Sequence, residues 1–475
     1  MHRSKNQFFK QTVSSFWLIA CLQIQADSSL NLSINKHQNT FETAAMKIWD
    51  WAEVGYQEFK SSELLKEELK ANGFTIQSRV AEIPTAFIAE YSNGGPVVGI
   101  LGEYDALPGL MQTASPFKEI RDDVDAGHAC GHHLFGAASA WAAVAIKEWL
   151  VRTKTKGTIR FYGTPAEEGG SGKVYMVRAG LFDDVDVCMD WHPSDEVEAA
   201  TQSSKALVDF RLRFFGDASH ASGDPWNGNS AVDAMELYTT GLNYYREHVR
   251  PTARIHYDIE KAGDVVNVVP DFAQIWTRLR ENDKENVNIL YERAKKIAEA
   301  ASMMANVDYE MELISGIYEI IPNRFGAGII QKNIESLGEI KYTEDEINYA
   351  NTILKETGKE LKGIDSKIRP IRPTLPAQGG STDVGDVSQV VPVVRMRATA
   401  AAKDGPWHSW AVVACTGMSI GHKGMIYASK ALAMTMLDLY KNPKLIDGVK
   451  KEFIARKGDR VYVPQIPPGP PKLVD

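Results

Sequence analysis

Val208-Asp209-Phe210-Arg211-Leu212-Arg213-Phe214 decides the fold. Apolar and charged residues alternate along it, which predicts a strand with one dry face and one wet face. Upstream the style differs. Ala86–Tyr91, Val97–Leu101, Thr158–Tyr162 and Val185–Met189 are short runs between turn residues, read as strands. His132–Leu150 is Ala-rich and helical, and Lys173–Leu181 is a short helix. From Thr43 to Leu69 apolar residues recur at helical spacing (Ala45, Ile48, Trp49, Ala52, Leu64, Leu65, Leu69). Strands alternating with helices predict an α/β domain with a mostly parallel sheet flanked by helices.

Downstream of Phe214 the order is helix (Ser230–Glu247), strand (Ala253–Ile259), strand (Phe272–Leu279), helix and strand (Tyr309–Ile314). The second helix shows one apolar face through Val287, Leu290, Ala294, Ile297, Ala298 and Ala301. This βαββαβ order is the ferredoxin-like plan, an α+β domain with its helices on one side of the sheet. The first style returns after Ile317. Helical segments surround Asn333 and Leu354, Val390–Met396 is a strand, and Ala411–Tyr440 is helical. The expected organisation is one domain over 40–203 and 317–475, interrupted by an insert over 204–316. The Pro-rich tail from Pro464 reads as an extended surface strap.

The chain has 475 residues, 44% hydrophobic and 24% charged, which excludes a mostly disordered or multi-span membrane protein. A net charge of −8 disfavours a nucleic-acid partner. Four cysteines in this length are not a disulfide framework. The N-terminus joins a basic start to an apolar stretch, Val13–Ile24, too short to span a bilayer. It reads as a secretory signal peptide over residues 1–26, ending at Ala26, with a periplasmic location expected. Leu18-Ile19-Ala20-Cys21 also suits lipid anchoring through Cys21, and a cytoplasmic N-terminus is the bland alternative.

Polar clusters fall just after the strands of the first domain, where open α/β sheets place their ligand crevice. Glu103-Tyr104-Asp105, Glu167-Glu168, His192 and His408 each follow a strand, and His128-Ala129-Cys130-Gly131-His132-His133 stands at a helix start. Thiolate, imidazole and carboxylate are the donors that zinc and its neighbours use. A helix N-terminus is expected to favour the Cys130 thiolate. Of two adjacent carboxylates in a loop, one can hold metal while the other serves as general base. His220 lies in a Gly/Ser-rich loop where no core demands an imidazole, so oxyanion stabilisation and an ordinary surface role both stay open.

In these residues the chain resembles the dinuclear-metal amidohydrolases of the aminoacylase and carboxypeptidase group. More narrowly it resembles the p-aminobenzoyl-glutamate hydrolase branch of that group. The anchors are Asp105-Ala106-Leu107-Pro108, Gly127-His128-Ala129-Cys130-Gly131-His132, Thr164-Pro165-Ala166-Glu167-Glu168-Gly169, Asn267-Val268-Val269-Pro270-Asp271, Ser381-Thr382-Asp383-Val384-Gly385-Asp386-Val387 and His408-Ser409-Trp410. The resemblance implies a zinc-peptidase-like catalytic domain, a lid and dimerisation insert, and two divalent ions, zinc or manganese. It implies that Cys130 bridges the ions, with His132 and His192 on one and Glu168 and His408 on the other. It makes Glu167 the base, Asp105 the residue that holds a ligand histidine, and His220 and Asn267 the groups that polarise the scissile carbonyl, often across a homodimer interface. The substrate implied is a small N-acyl or N-aroyl amino acid or a dipeptide. Arg280 ends a lid strand and can meet a substrate carboxylate. His133 departs from the Asp or Asn of many relatives and raises the question of metal competition. Two rivals stay open: a metal-independent cysteine hydrolase using Cys130 with His132, and a non-catalytic ligand-binding protein.

Overall fold

The computed structural model describes residues 30–374, 377 and 379–472. The leader expected over 1–26, with Cys21, lies outside them. The first part of the chain carries helix α1, which runs to residue 51, α2 (Phe59–Ala71), and strands β1 (Thr75–Ser78), β2 (Phe87–Ser92) and β3 (Val97–Gly102). A short ladder of β4 (Leu107–Pro108) and β5 (Ala126–Gly127) follows, then α3 (His132–Thr153), β6 (Thr158–Gly163), α4 (Gly172–Arg178), β7 (Val187–Ser194) and β8 (Glu198–Ala199). The helical spacing from Thr43 to Leu69 belongs to two helices. The chain turns at Ala52 and Tyr56, whose φ values of 45° and 66° no right-handed helix accepts.

The insert carries β9 (Ala206–Phe215), α5 (Ala231–Tyr245), β10 (Arg254–Ala262), β11 (Phe272–Glu281), α6 (Lys284–Ala305) and β12 (Asp308–Ile317). After it come α7 (Arg324–Leu337), α8 (Glu344–Glu356), α9 (Val384–Val390), β13 (Val393–Thr399), α10 (Trp410–Thr416), α11 (Ser419–Lys441) and α12 (Pro443–Lys457). β13 begins later than the apolar run suggests because α9 takes up Val390. The expected helix over Ala411–Tyr440 is two, α10 and α11, separated at Gly417-Met418.

The main sheet has the order β1-β2-β6-β3-β7-β13-β8. Its centre, β6-β3-β7-β13, is parallel, and the outer pairs are antiparallel. Parallel strands covered on both faces need apolar residues throughout, and β3 (VVGILG) is buried beyond its first residue. α3 is long and apolar enough to cross a membrane, but it lies in the core against α11 and β3, which explains why it is apolar on all sides.

The insert forms its own antiparallel sheet, β10-β11-β9-β12, with a separate core. Val208, Phe210, Leu212 and Phe214 pack on α5 and α6, while Arg211 and Arg213 stay on the open face. The alternation in the sequence is this two-sidedness. The tail crosses the hinge between the domains. Tyr462 Oη donates to Asp386 Oδ1 (2.9 Å), Gln465 forms a bridge with Gly316, and Arg178 donates to the Pro467 carbonyl (2.7 Å).

Candidate active site

Because β6, β3, β7 and β13 run the same way, their C-terminal ends open on one edge. Glu103 to Asp105 follow β3, Glu167 and Glu168 follow β6, and the loop after β13 carries His408. His192 lies within β7, near its end, rather than after it. Cys130 and His132 arrive with the turn that starts α3. Gly131 makes that turn at φ 78°, and a Cβ there would stand 3.0 Å from Pro193. The strand end and the helix start thus touch.

One donor atom each from Cys130, His132 and His192 lie within 4.8 Å of one another, and so do those of Cys130, Glu168 and His408. The thiol is common to both sets. A third set joins Glu103, His132 and Glu167. Hydrogen bonds fix which nitrogens are available. His192 Nδ1 donates to the Pro193 carbonyl (2.7 Å), which leaves the Nε2 lone pair 3.4 Å from Cys130 Sγ. His132 Nδ1 pairs with Asp105 Oδ1 (2.8 Å), and Asp105 Oδ2 accepts the Glu168 amide (2.9 Å). Such an outer carboxylate orients a metal-ligating imidazole. Glu168 Oε1 is buried without a hydrogen-bond partner. A soft sulfur shared between two nitrogen/oxygen sets, with an orphaned carboxylate oxygen, fits a pair of divalent cations.

The electrostatics fit as well. Burial and then the Glu168 charge push the Cys130 thiol far up. Without a cation, desolvation and facing carboxylates outweigh the helix dipole that favours the thiolate. Burial, then Glu103 and Glu168, raise Glu167 well above the usual carboxylate range. Burial also pushes Glu168 up to about 7, against the pull of His132. Burial and His132 hold His192 well below the ordinary histidine value, as a neutral donor. A divalent cation would reverse the direction for the thiol and carboxylates.

Several participants carry no role that the sequence alone assigns. Glu103 lies 3.1 Å from His132 Nε2 and 2.6 Å from Lys173 Nζ. Lys173 is fully buried and also binds Asp383 (2.8 Å), so a charged chain ties the halves of the catalytic domain together beneath the site. A lysine this deep has no sequence signal, although Asp383 stands inside the Ser381–Val387 motif. His133 turns away from the donor sets. It packs on His128 with ring centroids 4.8 Å apart and reaches the Thr416 carbonyl at 3.1 Å. It therefore does not compete for the cations. Cys188 and Cys415 are buried free thiols.

Above the donors lies a cavity of about 540 Å³ between the domains. Glu167, Glu168, Trp407 and His408 line it from below, and Arg278 and Arg280 from β11 above. Asp209 already engages Arg278, with 2.5 Å to Nη2. Arg280 Nε is buried without a partner. His220 and Asn267 do not line this cavity. They meet each other in the loops at the far end of the lid, where the Ala221 amide donates to the Asn267 carbonyl (3.1 Å). β9 runs from Leu207 at the cavity to Phe215 at that end, about 25 Å at strand rise.

The parallel-strand edge, the mixed sulfur, nitrogen and oxygen donors and the lid above them define a metal-dependent hydrolase. Residues 99–409 match the model of peptidase family M20/M25/M40, and the chain belongs to that family. It is a hydrolase of amide bonds, so the cysteine-hydrolase and binding-protein readings fall away. It is 35% identical over 447 residues to one of the p-aminobenzoyl-glutamate hydrolase chains of Escherichia coli (strain K12), covering 88% of this chain and 93% of the relative. It is 30% identical over 421 residues to Xaa-Arg dipeptidase of Mus musculus, covering 86% and 87%. Among solved structures, a dinuclear metal-binding M20 peptidase from Bacillus subtilis shares the fold with TM-score 0.56 at 18% identity, covering 85% of this chain and 99% of that one.

Proposed function

We propose that the chain hydrolyses the amide bond of a small N-acyl or N-aroyl amino acid, or a dipeptide, using two divalent ions held by Cys130, His132, His192, Glu168 and His408. The observation that carries this reading is the single thiol common to two donor sets beneath a cavity. Bound ions supply the Lewis acidity that makes water nucleophilic at neutral pH. Zinc and manganese both suit these donors.

Glu167 takes the proton from the attacking water and returns it to the leaving nitrogen. Its place with Glu103 and His132, beside the donor sets, suits a group that takes a proton and later gives it back. Asp105 holds His132 in one tautomer. Arg280, with a buried nitrogen unpartnered, receives the substrate carboxylate. The relatives named for p-aminobenzoyl-glutamate and Xaa-Arg dipeptides both act on molecules with a free carboxylate, which supports that assignment.

His220 Nδ1 accepts the Ser222 and Gly223 amides at 3.2 and 3.1 Å, so the neutral ring carries its proton on Nε2. That donor suits a developing oxyanion. Its distance from the cavity of its own chain favours a homodimer in which the lid of one copy serves the site of the other. Export of the chain, as a soluble or lipid-anchored form, is part of the same proposal; N-terminal sequencing of protein from a periplasmic fraction tests it.

A panel of aroyl- and acyl-amino acids and dipeptides, assayed with metal analysis on the same sample, tests the function. Turnover that a chelator abolishes and zinc or manganese restores is the expected result. Cleavage unaffected by complete metal removal would refute it.

A further inference from the structure

Glu167 and Glu168 are neighbours in sequence, yet they join different groups. Glu167 belongs with Glu103 and His132, and Glu168 with Cys130 and His408. The turn before them makes this divergence. Ala166 is fully buried and sits at φ 58°, a region that L-residues with a Cβ avoid. Something must hold it there.

Glu58 stands at that point. Its side chain is fully buried, and Oε1 accepts the Ala166 amide at 2.8 Å. Oε2 accepts the Thr85 hydroxyl, also at 2.8 Å. The Thr85 carbonyl in turn accepts Tyr104 Oη (2.6 Å), and Tyr104 lies between Glu103 and Asp105. Asp105 accepts the Glu168 amide. Two buried carboxylates thus clamp the amides on either side of Glu167 and are themselves linked through Thr85 and Tyr104. The segment before Glu58 is pressed on the same loop. Gly55 lies where a Cβ would stand 3.0 Å from Ala166, and Tyr56 Oη donates to the Gly170 carbonyl at 2.5 Å.

We infer that Glu58 is a positioning residue for hydrolysis: by holding the Ala166 amide it aims the Glu167 carboxylate at the reacting water. It touches neither substrate nor cation. The inference rests on the reading of Glu167 as the base.

Two conservative variants separate geometry from charge. Burial and then the Asp105 charge push the Glu58 carboxyl up to about 8, and Glu58→Gln keeps its length and an oxygen acceptor for the Ala166 amide while removing its ability to ionise. Glu58→Asp keeps an ionisable carboxyl but draws the acceptor back by about 1.5 Å. Positioning predicts that Glu58→Asp loses kcat by about 10- to 100-fold with KM and metal content unchanged, because a displacement of this size is costly at a reacting group. Glu58→Gln should retain most of the parent kcat. Adding Ala166→Gly to Glu58→Asp removes the Cβ that opposes the left-handed turn and should recover part of the loss.

Glu58→Asp at parent kcat would overturn the inference, as would Glu58→Gln losing more than Glu58→Asp, the order expected of a purely electrostatic role. Glu167→Ala assayed in parallel keeps the two readings apart. If Glu167→Ala turns over normally, the base assignment itself has failed. If it is inactive while Glu58→Asp matches the parent, only the positioning role is lost.

Discussion

At the strand ends, Glu103, Asp105 and His132 are at most 1% exposed, and every tautomer and carboxylate direction is set by a buried neighbour. At the lid's far end His220 is exposed, and its ring is oriented only by amides of its own loop. Val266 beside it is 99% exposed. The first region is held by tertiary packing, with its crowded carboxylates facing His132 and Lys173. The second is shaped locally, by the turn that carries His220. The catalytic domain thus gathers its candidate donors within one chain, whereas the lid end presents its imidazole away from them.

The comparison breaks first under metal removal. A chelator should abolish turnover, added zinc or manganese should restore it, and circular dichroism of the lid helices should stay unchanged, since the lid core is separate. Glu167→Ala should lower kcat by about 10²- to 10⁴-fold, with metal content by atomic emission equal to the parent. A variant with near-parent kcat would remove Glu167 from its role.

His220→Ala should cost about 10²- to 10³-fold in kcat while leaving the metal in place. Mixing it with Glu167→Ala tests the division of labour between the two regions. In a dimer that exchanges lids, random mixed assembly restores one good site in half the molecules, about a quarter of parent activity. No recovery after verified exchange of protomers would place His220's action within one chain. Arg280→Met should raise KM by about tenfold or more for substrates with a free carboxylate, through loss of a charged hydrogen bond. Their amidated analogues should be affected far less.

The smallest effect lies away from both regions. Burial works to raise the Glu148 carboxyl, but hydrogen bonds from His37, Ser33 and Lys36 hold it at about 2, below its ordinary 4.5. A depressed carboxyl stabilises above its unfolded pKa, so the docking of α1 on α3 is expected to weaken as pH falls from 4.5 towards 2. Because Glu148 is half-buried while its partner Lys36 is exposed to solvent, the effect is under about 1 kcal/mol. Hydrogen exchange over residues 30–51 should quicken in that window in the parent and show no such dependence in Glu148→Gln.

How much of this was legible depends on the range of each constraint. The alternation at Val208–Phe214 reports two faces of one strand, so the lid was readable residue by residue. Ala52 and Tyr56 were not, because alanine and tyrosine carry no turn signal and tertiary contacts force their positive φ. The clusters after strands were visible because parallel strands deliver their ends to one edge. The surroundings of the Cys130 thiol were not, since burial first and then Glu168 from a distant segment push it up.

Sequence by itself determined the two styles of sheet, the insert between them and the chemical kinds of donor, because periodicity and side-chain chemistry are local properties. Only the tertiary structure decided that Lys173 sits between Glu103 and Asp383, that Glu58 reaches Ala166, that His133 turns away, and that His220 stands at the far end of the lid. Each of these is a distance between residues far apart in the chain or a direction fixed by packing, and no local pattern encodes either.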